Sequence, residues 1–223
     1  IIGQRDCSIQ RKNQKIIEEI PSDFVDINNL GNLENNVQNL LLSSNYEGVG
    51  TLEFLYQDNQ IYFIEMNTRL QVEHPVTEEA YDLDLVKNQI MVAAGYKIEI
   101  NYLNKKFHTI ECRINAENAK DFSPSPGTIK FINFPGGRGI RVDTAIYTNY
   151  RVNPHYDSLI LKLISRGENR DEAISIMQRA LNEIIIEGIN TNIDLHKWIL
   201  KQEIFISGKY NTNWLEKNIS NFH

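Results

Sequence analysis

The segment IEMNTRLQVEHPVTE, from Ile64 to Glu78, constrains this chain more than any other. It places three acids, two amides, a guanidinium and a histidine within 15 residues, directly after an apolar, strand-like run. Four of its polar side chains would share one face of an extended chain: Glu65, Asn67, Arg69 and Glu73. Clustered carboxylates raise each other's pKa, so a bound metal or another cation is the natural resolution. The alternative is a solvated polar turn, but Pro75 and the apolar spacers favour a packed loop.

The residues before this segment read as a β-hairpin. VGTLEFLY (Val49 to Tyr56) and QIYFIEM (Gln60 to Met66) flank Gln57-Asp58-Asn59. Glu53 stands among apolar residues of the first strand, where an ionised carboxylate needs a partner or a metal, or else lies on a wet face.

The length of the hairpin loop decides whether the acids can act together. A two-residue turn at Asp58-Asn59 would pair Glu53 with Ile64 and send Glu53 and Glu65 to opposite faces. A three-residue loop pairs Glu53 with Glu65 and puts Asn67 on the same side, which gives an all-oxygen set suited to Mg²⁺. We predict the odd-length loop.

Periodicity predicts the other elements. Gln14 to Ile20 is ambiguous between strand and helix, with a period of two slightly favoured. After a loop from Pro21 to Gly31, a helix from about Leu33 to Ser43 should pack on the hairpin, with Leu33, Val37, Leu40 and Leu41 on one side. A helix from about Leu83 to Ala94 should turn Val86, Ile90 and Ala93 inward and stop at Gly95.

From His108 onward, short strands separated by Pro-Gly turns predict a second unit. The strands are HTIECRINA, GTIKFINF, IRVDTAIY and the run from Ser158 to Ile164. Asn169 should cap a helix from Asp171 to about Ile186, and a last helix should begin near Asn192.

Several of these segments, in this order, resemble the biotin carboxylases of the ATP-grasp superfamily. Besides VGTLEFLY and FIEMNTRLQVEHPVTE, they are RDCSIQRKNQK (Arg5 to Lys15), ECRINAEN (Glu111 to Asn118), FSPSPGTI (Phe122 to Ile129), YDSLILKLI (Tyr156 to Ile164) and EGINTN (Glu187 to Asn192). The resemblance implies an α+β fold, with the carboxy-terminal part of an ATP-grasp domain (an antiparallel sheet with helices) at residues 1–103. The carboxy-terminal β-rich domain of biotin carboxylases would follow at residues 104–223.

The same resemblance implies a role for each matching residue. Glu53, Glu65 and Asn67 would bind one or two Mg²⁺ or Mn²⁺ ions that hold the ATP phosphates, and Gln10, Asn13, Lys15, Glu53 and Glu65 would contact ATP. Lys15, Arg69, Gln71 and the backbone of Val72 would bind bicarbonate. Glu73 would be the general base, and Arg69 or Arg113 would stabilise the negative charge that develops on biotin, with Arg113 in the biotin site.

These roles are chemically coherent. Bicarbonate is a weak nucleophile until a base removes its proton, after which it attacks the γ-phosphate to give carboxyphosphate. Carboxyphosphate yields carbon dioxide, which meets the ureido nitrogen of biotin beside a permanently charged guanidinium. A planar guanidinium can also donate two parallel hydrogen bonds to a carboxylate-like anion, which suits Arg69 for binding bicarbonate.

Some positions fit the family less well. Asn13 stands where the relatives usually carry a histidine, so it can hydrogen bond but not carry charge. His74 could be an acid or a metal ligand, but without a second histidine at ligand spacing a structural role is favoured. Arg141 resembles a dimer-interface residue, and Tyr156-Asp157-Ser158 a turn near the biotin pocket.

Composition limits the classes of partner. The chain is 41% hydrophobic and 23% charged with a net charge of −6, and lacks both an 18-residue apolar run and a basic stripe for nucleic acid. Two cysteines in 223 residues predict a reduced protein without a disulfide framework. The resemblance implies a cytoplasmic (bacterial) or plastid stromal location.

The resemblance also implies cofactors and partners: ATP, Mg²⁺ or Mn²⁺, biotin on a biotin carboxyl carrier protein, carboxyltransferase subunits and a homodimer of the full-length protein. No glycine-rich lid precedes the acids, so we expect this chain to be the carboxy-terminal half of the enzyme and to be inactive alone. Two alternatives remain open, a non-catalytic interaction fragment and a carbamoyl-phosphate-synthetase-like ligase. The ECRINAE and FSPSPG segments favour the biotin enzyme over the latter.

Overall fold

The structure is a computed structural model that describes residues 1–22, 27–98 and 105–222, and the side chains of all of these except 27–30. Its strands are β1 (Asp6–Arg11), β2 (Gln14–Ile20), β3 (Thr51–Gln57), β4 (Gln60–Asn67), β5 (His108–Asn115), β6 (Gly127–Thr128), β7 (Phe131–Asn133), β8 (Ile140–Thr144), β9 (Arg151–Val152), β10 (Leu159–Gly167) and β11 (Ile185–Glu187). Its helices are α1 (Ile27–Ser43), α2 (His74–Tyr81), α3 (Leu85–Ala93), α4 (Arg170–Glu183), α5 (Ile193–Ile199), α6 (Glu203–Ile206) and α7 (Trp214–Asn218). The mixed α+β fold expected from the sequence is confirmed.

An antiparallel sheet of five strands, in the order β1-β2-β5-β10-β8, organises the molecule. Strands β1 and β2 belong to the first predicted unit, and the other three belong to the second. The predicted division at 103/104 lies outside the described residues and stays a prediction. The sheet itself is continuous from one side of that division to the other.

The main core lies where α4, α5 and the segments after them cover one face of this sheet. Leu163 of β10, Met177 and Leu181 of α4, and Ile199 of α5 are fully buried there. The Asn169 side chain accepts a hydrogen bond from the backbone N–H of Glu172, 3.0 Å away, so the predicted cap of α4 is confirmed. This packing holds β5 and β10 rigidly beneath the candidate site.

Residues Gln14–Ile20 form a strand, as the slightly favoured period of two indicated, but the burial along β2 does not alternate. Every residue from Ile16 to Ile20 is buried, including Glu18 and Glu19. The strand lies inside the sheet between β1 and β5, so charge in the sequence did not mark a solvent face.

The hairpin β3–β4 has the predicted register but not the predicted loop. Gln57 pairs with Gln60 around a two-residue turn, in which Asp58 and Asn59 have φ of 50° and 60°. A bulge between Glu53 and Phe54 then shifts the register by one residue and pairs Glu53 with Glu65. The odd-length loop was wrong, and the bulge supplies the odd residue instead.

Two helices depart from their predicted packing. Helix α1 begins at Ile27 rather than Leu33, and Leu40, predicted on its inward side, is 55% exposed. In α3 the predicted inward face was wrong, because Val86, Ile90 and Ala93 are exposed and Leu85 is the buried residue. Gly95, with φ of 84°, ends α3 as predicted.

The second unit has the expected short strands, with GTIKFINF divided between β6 and β7. The helix predicted near Asn192 is present as α5, but it is not the last one, because α6 and α7 follow it. Among the described residues, no helix is long and apolar enough to cross a membrane.

Candidate active site

Lys15 joins two acids that are far apart in sequence. Its Nζ lies 2.9 Å from Glu53 Oε1 and 2.8 Å from Glu73 Oε1. Lys15 lies at the start of β2, Glu53 lies in β3, and Glu73 lies in the turn that leads into α2. The three elements therefore converge on one ammonium group, which neutralises acids that would otherwise repel each other.

Glu73 is buried, and cations surround its carboxylate. Arg113 of β5 donates from Nη2 to Glu73 Oε2 at 2.9 Å, and Arg5 Nη2 lies 4.0 Å from Glu73 Oε1. Burial raises the pKa of Glu73, but the Arg5, Lys15 and Arg113 charges outweigh it, so the pKa lies below its ordinary value. Glu73 is thus ionised at neutral pH, the state that can accept a proton.

Glu73 does not extend the face of β4 as its spacing predicted. Strand β4 ends at Asn67, and the chain turns before α2 starts at His74. The His74 ring Nδ1 lies 2.8 Å from the backbone oxygen of Gln71 and closes this turn. That contact is the structural role favoured for His74, and burial lowers its pKa.

The predicted metal ligands come together. The Asn67 amide nitrogen donates to Glu53 Oε1 at 3.2 Å and to Glu65 Oε1 at 2.9 Å. The described residues contain no group of three His, Cys, Asp or Glu side chains that could hold a metal ion. The predicted set consists of two acids and one amide. Its oxygen donors suit a hard cation such as Mg²⁺, provided that the Asn67 amide turns its oxygen toward the acids.

The predicted anion-binding residues are only partly gathered. The Gln71 amide nitrogen donates to Glu53 Oε1 at 2.6 Å, so Gln71 lies in the cluster. Arg69 is exposed and donates instead to the backbone oxygen of Leu70 and to Asn67 Oδ1, at 3.2 and 3.3 Å. The backbone oxygen of Val72 accepts from Lys162 Nζ at 3.0 Å. Arg69 thus borders the cluster without joining the Lys15 contacts.

Gln10 and Asn13, two other residues predicted to contact ATP, lie on the β1–β2 hairpin with Lys15. Gln10 pairs directly with Lys15 across the hairpin. Asn13 is exposed in the two-residue turn with φ of 63°, a conformation that asparagine tolerates better than most residues. Tyr156 is 79% exposed, and Arg141 is bound to Glu78 and Asp143.

Two residues of the site received no role from the sequence. Arg5 donates to the Gln71 side-chain oxygen and fixes the orientation of that amide. Glu18, fully buried, accepts from Arg113 Nε at 2.5 Å. An acid in the apolar strand β2 was the available signal for Glu18, since the same argument drew attention to Glu53. Arg5 offered no such signal, because its partner is 66 residues away.

Comparison with known proteins identifies the family of this chain. Residues 1–101 match the family described as carbamoyl-phosphate synthase L chain, ATP binding domain, and residues 111–217 match the biotin carboxylase C-terminal domain. The chain is 48% identical over 220 residues to a biotin carboxylase of Haemophilus influenzae, covering 98% of this chain and 49% of that protein. It is 49% identical over 220 residues to biotin carboxylase 1 of Bacillus subtilis, covering 96% and 49% respectively.

The solved structures that match this chain are also biotin carboxylases. The biotin carboxylase domain dimer of Hydrogenobacter thermophilus 2-oxoglutarate carboxylase, in complex with MgADP, ADP and bicarbonate, matches with a TM-score of 0.96 at 42% identity. The match covers 100% of this chain and 50% of that one. A biotin carboxylase–beta-gamma-ATP complex from Campylobacter jejuni matches with a TM-score of 0.93 at 43% identity, and the match covers 97% of this chain and 49% of that one.

The fold and the cluster of acids, lysine and arginine place the chain in the ATP-grasp class of proteins. Within that class, the chain belongs to the biotin carboxylase family. It spans about half the length of the curated relatives it matches.

Proposed function

We propose that this chain supplies the base, the acid ligands and the biotin-facing arginine of a biotin carboxylase. The reaction is ATP-dependent carboxylation of biotin with bicarbonate, through carboxyphosphate, as the first half-reaction of acetyl-CoA carboxylase in fatty acid synthesis. The observation that carries the proposal is the placement of Glu73 between Lys15 and Arg113, 2.8 and 2.9 Å away.

Each side of Glu73 suits one substrate. On the Oε1 side, Lys15 and Gln71 offer hydrogen-bond donors to an anion, with Arg69 and the Val72 backbone at the edge. Bicarbonate would bind there and give its proton to Glu73. On the Oε2 side, the Arg113 guanidinium stays charged at any physiological pH and would stabilise the anionic ureido form of biotin. Glu73 thus links the two half-sites.

The acids of the hairpin would serve ATP. Glu53, Glu65 and Asn67 would hold one or two Mg²⁺ or Mn²⁺ ions, and Gln10, Asn13 and Lys15 would border the nucleotide. When bound, such ions neutralise the phosphate charge and orient the γ-phosphate for attack. The Asn67 amide would change its orientation, and Lys15 would share Glu53 with the metal.

The proposal extends to partners. Biotin would arrive on a biotin carboxyl carrier protein, a carboxyltransferase would use the carboxybiotin, and the full-length protein would form a homodimer with Arg141 near its interface. The relatives include a bacterial biotin carboxylase and one named as chloroplastic, which supports a cytoplasmic or plastid stromal location.

The test is ADP release by the full-length protein, with bicarbonate, biotin or ammonia omitted in turn. Dependence on both bicarbonate and biotin is expected. Stimulation by ammonia without biotin would instead indicate the carbamoyl-phosphate-type ligase, and the absence of any turnover would favour the interaction fragment. The 223-residue chain alone should release no ADP in the same assay, because Glu65 and Arg69 are open to solvent and the chain spans half the length of its relatives.

A further inference from the structure

Glu111 is a buried acid that the proposed reaction does not use. It lies in β5, two residues before Arg113, and is completely buried. Neither of its carboxylate oxygens has a hydrogen-bond partner among the described residues. An ionised carboxylate that is buried without a partner raises the free energy of the folded state strongly, so protonation of Glu111 is favoured.

Glu18 lies directly opposite Glu111. The antiparallel register of β2 and β5 pairs the two residues, so their side chains leave the sheet on the same face. Glu18 is also completely buried, and its Oε1 binds Arg113 Nε at 2.5 Å, whereas its Oε2 has no partner in the part of the chain that the structure describes. Three unsatisfied oxygens within that part therefore belong to two opposed acids.

We propose that Glu18 and Glu111 form a buried acid pair that holds one proton on Glu111, and that this pair positions Arg113 against Glu73. A protonated Glu111 has an O–H that can donate to Glu18 Oε2, which satisfies two of the three oxygens with one hydrogen bond. Glu18 stays ionised for Arg113, and two like charges are not opposed across the strands.

The surrounding charges favour this distribution of protons. Burial raises the pKa of Glu111 well above its ordinary value, and the Glu18 charge raises it further. Burial also raises the pKa of Glu18, to about 7, but the Arg113 charge opposes that rise. The charged groups that act on the pair lie on β2, β5, β10 and the start of α2: Lys15, Arg113, Lys162 and Glu73.

The pair would act on catalysis only through Arg113. Arg113 divides its donors between Glu18 through Nε and Glu73 through Nη2. If both Glu18 and Glu111 were ionised, their repulsion and the extra negative charge would draw the guanidinium away from Glu73. Glu18 and Glu111 are therefore positioning residues, and their effect on turnover rests on the proposed function.

The protonation of the pair can be tested without activity. The ¹³Cδ resonance of Glu111, assigned by comparison with Glu111→Gln in the 223-residue chain and in the full-length protein, should have the chemical shift of a protonated acid at neutral pH. It should titrate only on the alkaline side. An ionised Glu111 at neutral pH would overturn the proposal, whatever reaction the protein catalyses.

The positioning role is tested by two variants of the full-length protein. Glu111→Gln keeps an N–H donor toward Glu18 and carries no charge, whereas Glu111→Leu keeps the volume and loses the donor. The leucine variant should lose about tenfold in kcat, the effect of roughly one hydrogen bond, with little change in KM for ATP. Glutamine should restore most of that loss and remove the alkaline decline in kcat that ionisation of Glu111 causes.

The control is Glu187→Gln, an exposed glutamate in β11, which should match the wild-type protein. Equal kcat values in the leucine and glutamine variants, with both folded by circular dichroism, would overturn the positioning role. If the wild-type protein carboxylates no biotin, the proposed function fails, and the ¹³C measurement still decides whether the pair holds its proton.

Discussion

Lys15 is the common cationic partner of three negatively charged groups: two protein carboxylates and the anion that the proposed site would bind. Its ammonium contacts both Glu53 and Glu73. Burial lowers the pKa of Lys15, but Cys7, Glu73 and Glu53 raise it by more, so the pKa lies above its ordinary value. The residue is therefore charged throughout the physiological range. Removal of the Lys15 charge should therefore raise the pKa of Glu73.

We predict that Lys15→Gln in the full-length protein raises the pKa of Glu73 and moves the acid limb of kcat/KM for bicarbonate upward by about one pH unit. Burial already raises this pKa, and Lys15 is one of the cations that hold it down. The measurement is the pH profile of carboxylation, with exposed Lys209→Gln as control. An acid limb that stays in place would show that Lys15 does not control the base.

At the scale of elements, the candidate site depends on one bulge and one turn. The bulge after Glu53 sets the register that brings Glu53 to Glu65, and the turn before α2 brings Glu73 back to Lys15. Helix α4 packs against β5 and β10 of the main sheet, and its Asn169 cap satisfies a backbone donor that would otherwise be unpaired.

We predict that Asn169→Ala lowers the free energy of unfolding by about 1 kcal/mol, because it removes the cap of α4. Urea denaturation monitored by tryptophan fluorescence is the measurement. Ser175→Ala, on the exposed face of the same helix, should be nearly neutral. Equal stability of the two variants would contradict a stabilising role for the cap.

The sequence predicted the elements better than their faces. Residue type located Asn169 and Gly95 correctly, because a capping side chain and a left-handed φ depend on local chemistry. The inward face of α3 and the alternation of β2 were wrong, because burial depends on which distant segment lies opposite. Glu18 and Glu111 received no role from the sequence for the same reason.

For the β3–β4 hairpin, the predicted pairing of Glu53 with Glu65 is correct, but the predicted loop length is wrong. Chemistry required Glu53 and Glu65 to face the same way, which the register confirms. Loop length was the device expected to achieve it, whereas the structure uses a bulge. A bulge has no strong signal in a single sequence, so the register could be predicted from function and not from the local pattern.

At the scale of the whole molecule, a second buried cluster ties the sheet to the carboxy-terminal segments. Glu19 of β2 accepts from His108 Nε2 at 2.8 Å and from Arg170 Nε and Nη2 at 2.9 and 3.0 Å. The Tyr210 hydroxyl also donates to it. Burial raises the pKa of Glu19, but the His108, Arg170 and Tyr210 contacts lower it overall.

We predict that Glu19→Gln destabilises the protein by about 3 kcal/mol, because it leaves the partly buried Arg170 charge without its carboxylate partner. A carboxylate with a lowered pKa stabilises the fold above its unfolded pKa and loses that effect as the pH falls through the folded value. The difference from wild type should therefore shrink at acid pH. Urea titrations over pH are the measurement, and exposed Glu203→Gln should be neutral at every pH.

The central claim is that Glu73 is the general base of a biotin carboxylase, and Glu73→Gln in the full-length protein tests it most directly. Glutamine keeps the size of the side chain and removes the proton acceptor, so carboxybiotin formation should fall by roughly 100-fold to 10,000-fold. Binding of metal-ATP should change little, because the proposed metal and nucleotide ligands lie on the β1–β2 and β3–β4 hairpins. A variant that carboxylates biotin at the wild-type rate, with Glu187→Gln as the matched control, would contradict the claim.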